Sequence, residues 1–210
     1  MFPYSAEETV VNPSPRSRQR WLRDQLQFVK AFIKNPTGIG AILPSSDALA
    51  IAITAPLTPG AGKVLELGSG TGVFTQQMLA MGFNPADLIL VEQDPTLAAG
   101  LKTRFPLSTV LQVPAQALSA DNTPSLGEIA AIICGLPLRN MSAEAHGQVL
   151  AAAFRAMKPD GVLYLFTYGM KCPASPETLQ AHHLVSSLTN FIIKNLPPAS
   201  IYCISRAQAA

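Results

Sequence analysis

Three glycines at alternate positions, Gly68, Gly70 and Gly72 in "VLELGSGTGVF", join a short apolar run to a helix-forming one, and this loop constrains the fold more than any other feature. A strand that turns through glycines straight into a helix is the opening of a βαβ unit, in which the loop backbone can approach a ligand. The rest of the body repeats the alternation. Strands are expected at Lys63–Leu67 ("KVLEL"), 88–92, 109–113, Ile129–Cys134 ("IAAIIC") and 161–167, with helices over 73–81, 95–105 and 142–157. Strands this continuously apolar belong in a parallel sheet covered on both faces. A further helix over 177–187 is expected, then two strand-like runs, "FIIKN" and "SIYCIS", separated only by "LPPA". So short a link cannot make a parallel crossover, so the last strand should be antiparallel. The expected fold is α/β: a doubly wound, mostly parallel, Rossmann-like sheet with an antiparallel last strand.

With 210 residues, 48% of them hydrophobic and 13% charged, the chain has enough apolar surface for one packed domain and lacks the polarity of a disordered one. It holds no apolar run of spanning length, and its start, "MFPYSAEETV", lacks a signal peptide's basic end, so a cytoplasmic location is expected. Cys134, Cys172 and Cys203 have neither disulfide-framework nor zinc-ligand spacing and read as core residues, and no metal is suggested.

The net charge of +2 hides an uneven distribution: Arg16, Arg18, Arg20, Arg23, Lys30 and Lys34 face one acid, Asp24, within residues 16–34. At 100° per residue, Trp21, Leu22, Leu26, Phe28, Val29, Phe32 and Ile33 fall in an arc of roughly 160°, with cations opposite. Such a helix suits the surface of an anionic membrane, and it equally suits packing on its own domain. Residues 1–15, with Pro13 and Pro15, read as a mobile leader, 16–34 as the membrane-binding helix carrying Trp21, Arg23, Phe28, Lys30, Phe32 and Lys34, and 35–210 as the catalytic domain. The nearly neutral body argues against nucleic acid gripped along it.

In a doubly wound sheet the ligand lies beyond the carboxyl ends of the strands. The glycine loop lacks the third glycine of a dinucleotide fingerprint, since Val73 stands there, and Glu66 precedes it. A carboxylate at that place repels a pyrophosphate and suits an ammonium, so Glu66, Gly68, Ser69, Gly70, Thr71 and Gly72 fit the methionine part of S-adenosylmethionine better than NAD. Glu92, ending the second strand beside Gln93, is placed for ribose hydroxyls. No acid occurs between Gln112 and Leu118, which leaves Gln116 or the backbone at Ala115 for the adenine. Gly135, which opens the loop after the fourth strand, is a further cofactor-binding candidate.

The strings "NPTGIGAILPSS", "ELGSGTGVFT", "CGLPLRNM", "FRAMKPDGVLYLFTYG" and "NLPPASIYCISR" together resemble the bacterial phospholipid N-methyltransferases, small class I enzymes that methylate phosphatidylethanolamine towards phosphatidylcholine. The resemblance covers about residues 16–206; a weaker one is to the ribosomal RNA adenine dimethylases. It implies a class I methyltransferase domain, S-adenosylmethionine as cofactor, a phospholipid substrate, a basic helix on the inner face of the cytoplasmic membrane, and a substrate role for Ser45, which otherwise reads with Ser46 as a helix N-cap.

"GLPL" lacks the Asn or Asp anchor and the aromatic with which adenine amino methyltransferases hold a flipped base. Its leucines fit an apolar-bodied substrate, or are plain core. Tyr168, ending "FTY", is the candidate catalytic residue; an ordinary phenol is a poor base at pH 7, so an orienting or cation–π role stands equally. Arg139 and Arg206 are candidates for the lipid phosphate. Three readings follow: a lipid N-methyltransferase, a methyltransferase for RNA, protein or a small amine, and a non-catalytic protein that binds the cofactor and membrane.

Overall fold

The computed structural model describes residues 47–119, 121–123, 127–193 and 198–207. The leader over 1–15, the amphipathic segment with Trp21, Arg23, Phe28, Lys30, Phe32 and Lys34, and Ser45 lie outside the described residues. In chain order the described elements are α1 (Asp47–Thr54), β1 (Lys63–Leu67), α2 (Val73–Ala80), β2 (Leu88–Val91), α3 (Pro95–Arg104), β3 (Thr109–Leu111), β4 (Ile129–Cys134), α4 (Ala143–Ala156), β5 (Met157–Thr167), α5 (Pro176–Ala181), β6 (Leu184–Ile192) and β7 (Ala199–Arg206).

The strands form one seven-stranded sheet in the order β3-β2-β1-β4-β5-β7-β6. All pairs from β3 to β5 are parallel. β7 inserts between β5 and β6 and runs antiparallel to both. Two-residue periodicity divides the core between the faces. Leu65, Leu67, Ile89, Val91, Ile132, Cys134, Leu163 and Leu165 pack on one side with Val149 and Leu150 of α4 and Leu179 of α5. Val64, Leu88, Leu90, Ala131 and Ile133 pack on the other with Leu49 and Ile53 of α1, Phe74 and Met78 of α2, and Leu101 of α3. Burial on both faces is what the unbroken apolar strands predict.

Two stretches differ from the sequence expectation. β5 begins at Met157 rather than at 161, because Met157 already pairs with Ile129 before the register shifts to Ala131 with Val162. Residues 184–187, expected to be helical, belong to β6 instead. The helix stops where His182 caps it and His183 turns to φ 53°, a left-handed conformation that breaks the helical path.

The antiparallel course of β7 also corrects the place of Arg206. Thr167, at the carboxyl end of β5, pairs with Ser200 near the start of β7, so β7 carries its last residue to the amino end of the sheet. There the Arg206 guanidinium donates to the carbonyls of Lys158 (2.7 Å), Pro159 (2.9 Å) and Phe154 and lies 5.2 Å from the Phe154 ring centre. It closes the shifted start of β5 and takes no part in a site at the opposite end.

Candidate active site

The chain runs from β1 outward through β2 to β3 and returns to β4 on the other flank of β1, so the switch point lies between β1 and β4. At their carboxyl ends Leu67 is the register partner of Cys134, and Gly135 N–H donates to Leu67 O at 2.8 Å. The two backbones then nearly touch: a Cβ at Gly135 would lie 2.9 Å from Gly68 O, and one at Gly68 2.7 Å from Leu136 Cδ2. Gly68, Gly70 and Gly72 have φ of 70°, 53° and 79°, where side chains are disfavoured. The loop is fastened to the next strand by Gly68 N–H and Ser69 N–H, which both donate to Val91 O, at 2.8 and 3.1 Å.

Glu92 is 7% exposed, and its carboxylate accepts from Gly70 N–H at 2.8 Å and Asp94 N–H at 2.9 Å. A carboxylate offers about four lone-pair positions. Two are spent on the loops after β1 and β2, and two remain for a pair of vicinal hydroxyls. Glu92 thus ties the two loops together and keeps acceptor capacity that could take a ribose.

Glu66 stands in β1 just before the glycine loop, where it was expected. It is 1% exposed and accepts from the Thr75 hydroxyl of α2. Burial pushes its carboxyl up to about 8 despite the Thr75 hydrogen bonds, which lower it, and the Glu92 charge adds a smaller upward push. Burial thus favours the protonated carboxyl in the ligand-free chain, and Glu66 ties the end of β1 to α2 through Thr75. Thr75, its partner, had no signal in the sequence beyond its place in α2.

Of the remaining cofactor candidates, Ser69 is buried, its hydroxyl donating to Glu66 O at 3.2 Å. Thr71 is exposed, and its carbonyl accepts from Arg104 of α3 at 2.7 Å. Gln93 and Gln116 are exposed at the carboxyl ends of β2 and β3, and Ala115 is buried in the turn Ala115–Ala117. All of them line the same rim.

On the other flank, Leu138–Asn140 form a turn that leads into α4. Leu138 is 4% exposed and belongs to the core, whereas Leu136 is half-buried over Gly68, so only one of the two leucines borders the site. His146, buried one turn into α4, sets its ring Nε2 against Leu138 O and so anchors this turn. Sequence reading gave that histidine no role. Arg139 is exposed, and its guanidinium lies over Gly169, just past β5, where a Cβ would collide with it. Tyr168 is half-buried, its ring meeting Phe166 edge-on at 5.5 Å, and Phe166 in turn meets Phe74 at 6.0 Å. Burial raises the Tyr168 phenol above its ordinary value, so it keeps its proton at neutral pH. That makes Tyr168 a still poorer base than a free phenol and favours an orienting or cation–π role. Its segment is held by Ser200 Oγ–H donating to Gly169 O at 2.6 Å and Tyr202 Oη–H donating to Met170 O at 2.7 Å.

The glycine turn over β1, the Glu92 bridge from β2 and the close contact with Gly135 after β4 bring three loops together at the switch point. Residues 64–161, which span all three features, match the model of the family described as "Methyltransferase domain". The fold is that of a class I methyltransferase.

S-adenosylmethionine is the cofactor of this methyltransferase, and the free lone pairs of Glu92 and the glycine backbone are the groups at the switch point that could hold it. The chain is 25% identical over 187 residues to an ornithine lipid N-methyltransferase of Singulisphaera acidiphila, covering 86% of this chain and 95% of that one. Among solved structures it is similar to the Burkholderia thailandensis 1,6-didemethyltoxoflavin-N1-methyltransferase. There the TM-score is 0.61 and the identity 17%, covering 98% of this chain and 99% of that one. It is also similar to the glycopeptide N-methyltransferase MtfA, with TM-score 0.61 and 12% identity, covering 79% and 95%. At such identities these two structures speak for the fold. Among the described residues no cluster of His, Cys, Asp and Glu could hold a metal ion, and no helix is long and apolar enough to cross a membrane.

Proposed function

We propose that this methyltransferase moves the methyl group of S-adenosylmethionine to the amino group of phosphatidylethanolamine, and onward to its methylated products, at the inner face of the cytoplasmic membrane. The observation that carries this reading is the similarity along 86% of the chain to a protein named for methylating the nitrogen of a lipid. Two features of the chain support it. The rim after β4 offers Leu136 and no polar anchor or aromatic for a base. The segment over 16–34 has the charge and apolar arc of a helix that lies on anionic lipid.

The cofactor supplies a methyl group made electrophilic by the sulfonium to which it is bound. The protein's work is then orientation and exclusion of water. The glycine loop and Glu92 hold the nucleoside and its ribose. The acceptor nitrogen must arrive as the free amine, along the line of the breaking bond. Tyr168, with its proton retained and its ring fixed by Phe166, is placed to direct that amine by its hydroxyl or its face. Arg139, whose guanidinium lies over Gly169 next to Tyr168, would receive an anion on the acceptor.

The test is incubation with methyl-labelled S-adenosylmethionine and, in separate reactions, phosphatidylethanolamine vesicles containing anionic lipid, ornithine lipid vesicles, and bulk RNA. Label in mono-, di- or trimethylated phosphatidylethanolamine is expected. Label confined to ornithine lipid would move the assignment to that acceptor, and label confined to RNA would overturn it.

A further inference from the structure

Thr167 is 4% exposed, and its Oγ1 has no hydrogen-bond partner, one of two such buried side-chain atoms among the described residues. A buried hydroxyl left unpaired costs about 1–3 kcal/mol, so its retention needs a reason. The neighbour best placed to pair with it is its register partner Ser200, on the same face of the sheet. Ser200 Oγ–H is instead committed to Gly169 O at 2.6 Å. The position where a Cβ of Gly169 would lie is 3.8 Å from Thr167 Oγ1 and is occupied by the Arg139 guanidinium. Arg139 makes no hydrogen bond or ion pair among the described residues and is exposed, so it is free to move aside and admit a ligand. A hydroxyl without a partner and a guanidinium without a counter-ion among the described residues, brought together because residue 169 has no side chain, are complementary to an oxyanion, and the phosphate ester of an aminophospholipid is one.

We propose that Arg139, Thr167 and the bare backbone of Gly169 form an oxyanion-binding subsite for the phosphate ester of the acceptor. The inference rests on the aminolipid reading and deepens it. The phosphate would be held beyond β5, with the amine two carbons away along the rim towards β4 and the switch point. Thr167 is the residue this adds: it is a core position in the β5 burial pattern, and nothing in its sequence context sets it apart. It acts by binding and positioning the acceptor and takes no part in the bond exchange.

The experiment is calorimetric titration of the full chain, saturated with S-adenosylhomocysteine, with three amines: short-chain dihexanoyl-phosphatidylethanolamine, phosphoethanolamine and ethanolamine. The wild type should bind a phosphorylated amine at least about tenfold more tightly than ethanolamine, and Thr167→Val and Arg139→Gln should each weaken that binding by about tenfold. Thr167→Val should leave S-adenosylhomocysteine affinity unchanged and should not lower Tm, because it removes an unpaired hydroxyl at constant shape. Thr167→Ser should keep wild-type affinity. A preference for the lipid over phosphoethanolamine assigns the oxyanion to the membrane, and equal binding assigns it to a soluble phosphoester; both support the subsite. No discrimination by phosphate in the wild type, or wild-type affinity in Thr167→Val, overturns it. The readout is binding, so failure of the labelled-lipid assay and failure of the subsite are scored separately.

Discussion

Glu66 is the residue whose chemistry most depends on its surroundings. Its folded pKa of about 8 lies above the ordinary value of 4.5, so the native state holds a proton that the unfolded chain has released between those values. The unfolded state binds fewer protons in that window, and stability falls as pH rises through it. The stabilisation is complete below about 4.5 and gone above about 8. Glu66→Gln, which keeps the hydrogen-bonding shape without a proton to lose, should show a flatter profile. Thermal melts at pH 5 and 8.5 should give a Tm difference between variant and wild type that shifts towards the variant at the higher pH. Equal dependence in both proteins would place the titration elsewhere. The sequence disclosed that an acid stood before the glycines, but not that burial in the closing core would raise its pKa against the Thr75 hydrogen bonds. Burial is set by residues brought together from distant segments, and no local pattern encodes it. Glu92 was more legible because its position after β2 follows from the topology itself.

At the level of elements, the parallel strands were readable because both faces are buried and their apolar runs carry no other message. β6 was not. It is the free edge, and Val185, Ser187, Leu188, Thr189, Asn190 and Phe191 are all exposed. With no buried face to mark, the alternation expected of a strand is absent, and the preceding helical residues set the wrong expectation. The same hairpin misled on Arg206: the antiparallel course of β7 was expected, but its consequence, that the strand ends far from the site, was not drawn. Its place makes a prediction. Arg206→Ala removes three hydrogen bonds to the carbonyls of residues 154, 158 and 159 and a ring contact, so it should lower stability by about 2 kcal/mol or more in denaturant melts. KM for the acceptor should not change, and an increase confined to KM would return Arg206 to the site.

For the whole molecule, the sheet order gathers the functional groups along one rim, with the cofactor loops on β1 and β2 and the acceptor side on β4 and β5. Under the proposed function a lipid headgroup reaches that rim from a bilayer, and the proposed route is attachment through residues 16–34. Replacing Phe28 and Phe32 together by Glu should abolish co-sedimentation with anionic vesicles while calorimetric cofactor affinity stays at the wild-type value. Sedimentation equal to wild type would remove the membrane role from this segment. The meeting of Gly68 and Gly135 has a separate bearing on how relatives of this chain are compared. Gly135 has no positive φ to explain it; its hydrogen atom is the only substituent that the neighbouring carbonyl permits. An invariant glycine there would therefore record two strands being allowed to end side by side, a matter of carpentry whether or not the cofactor also touches it.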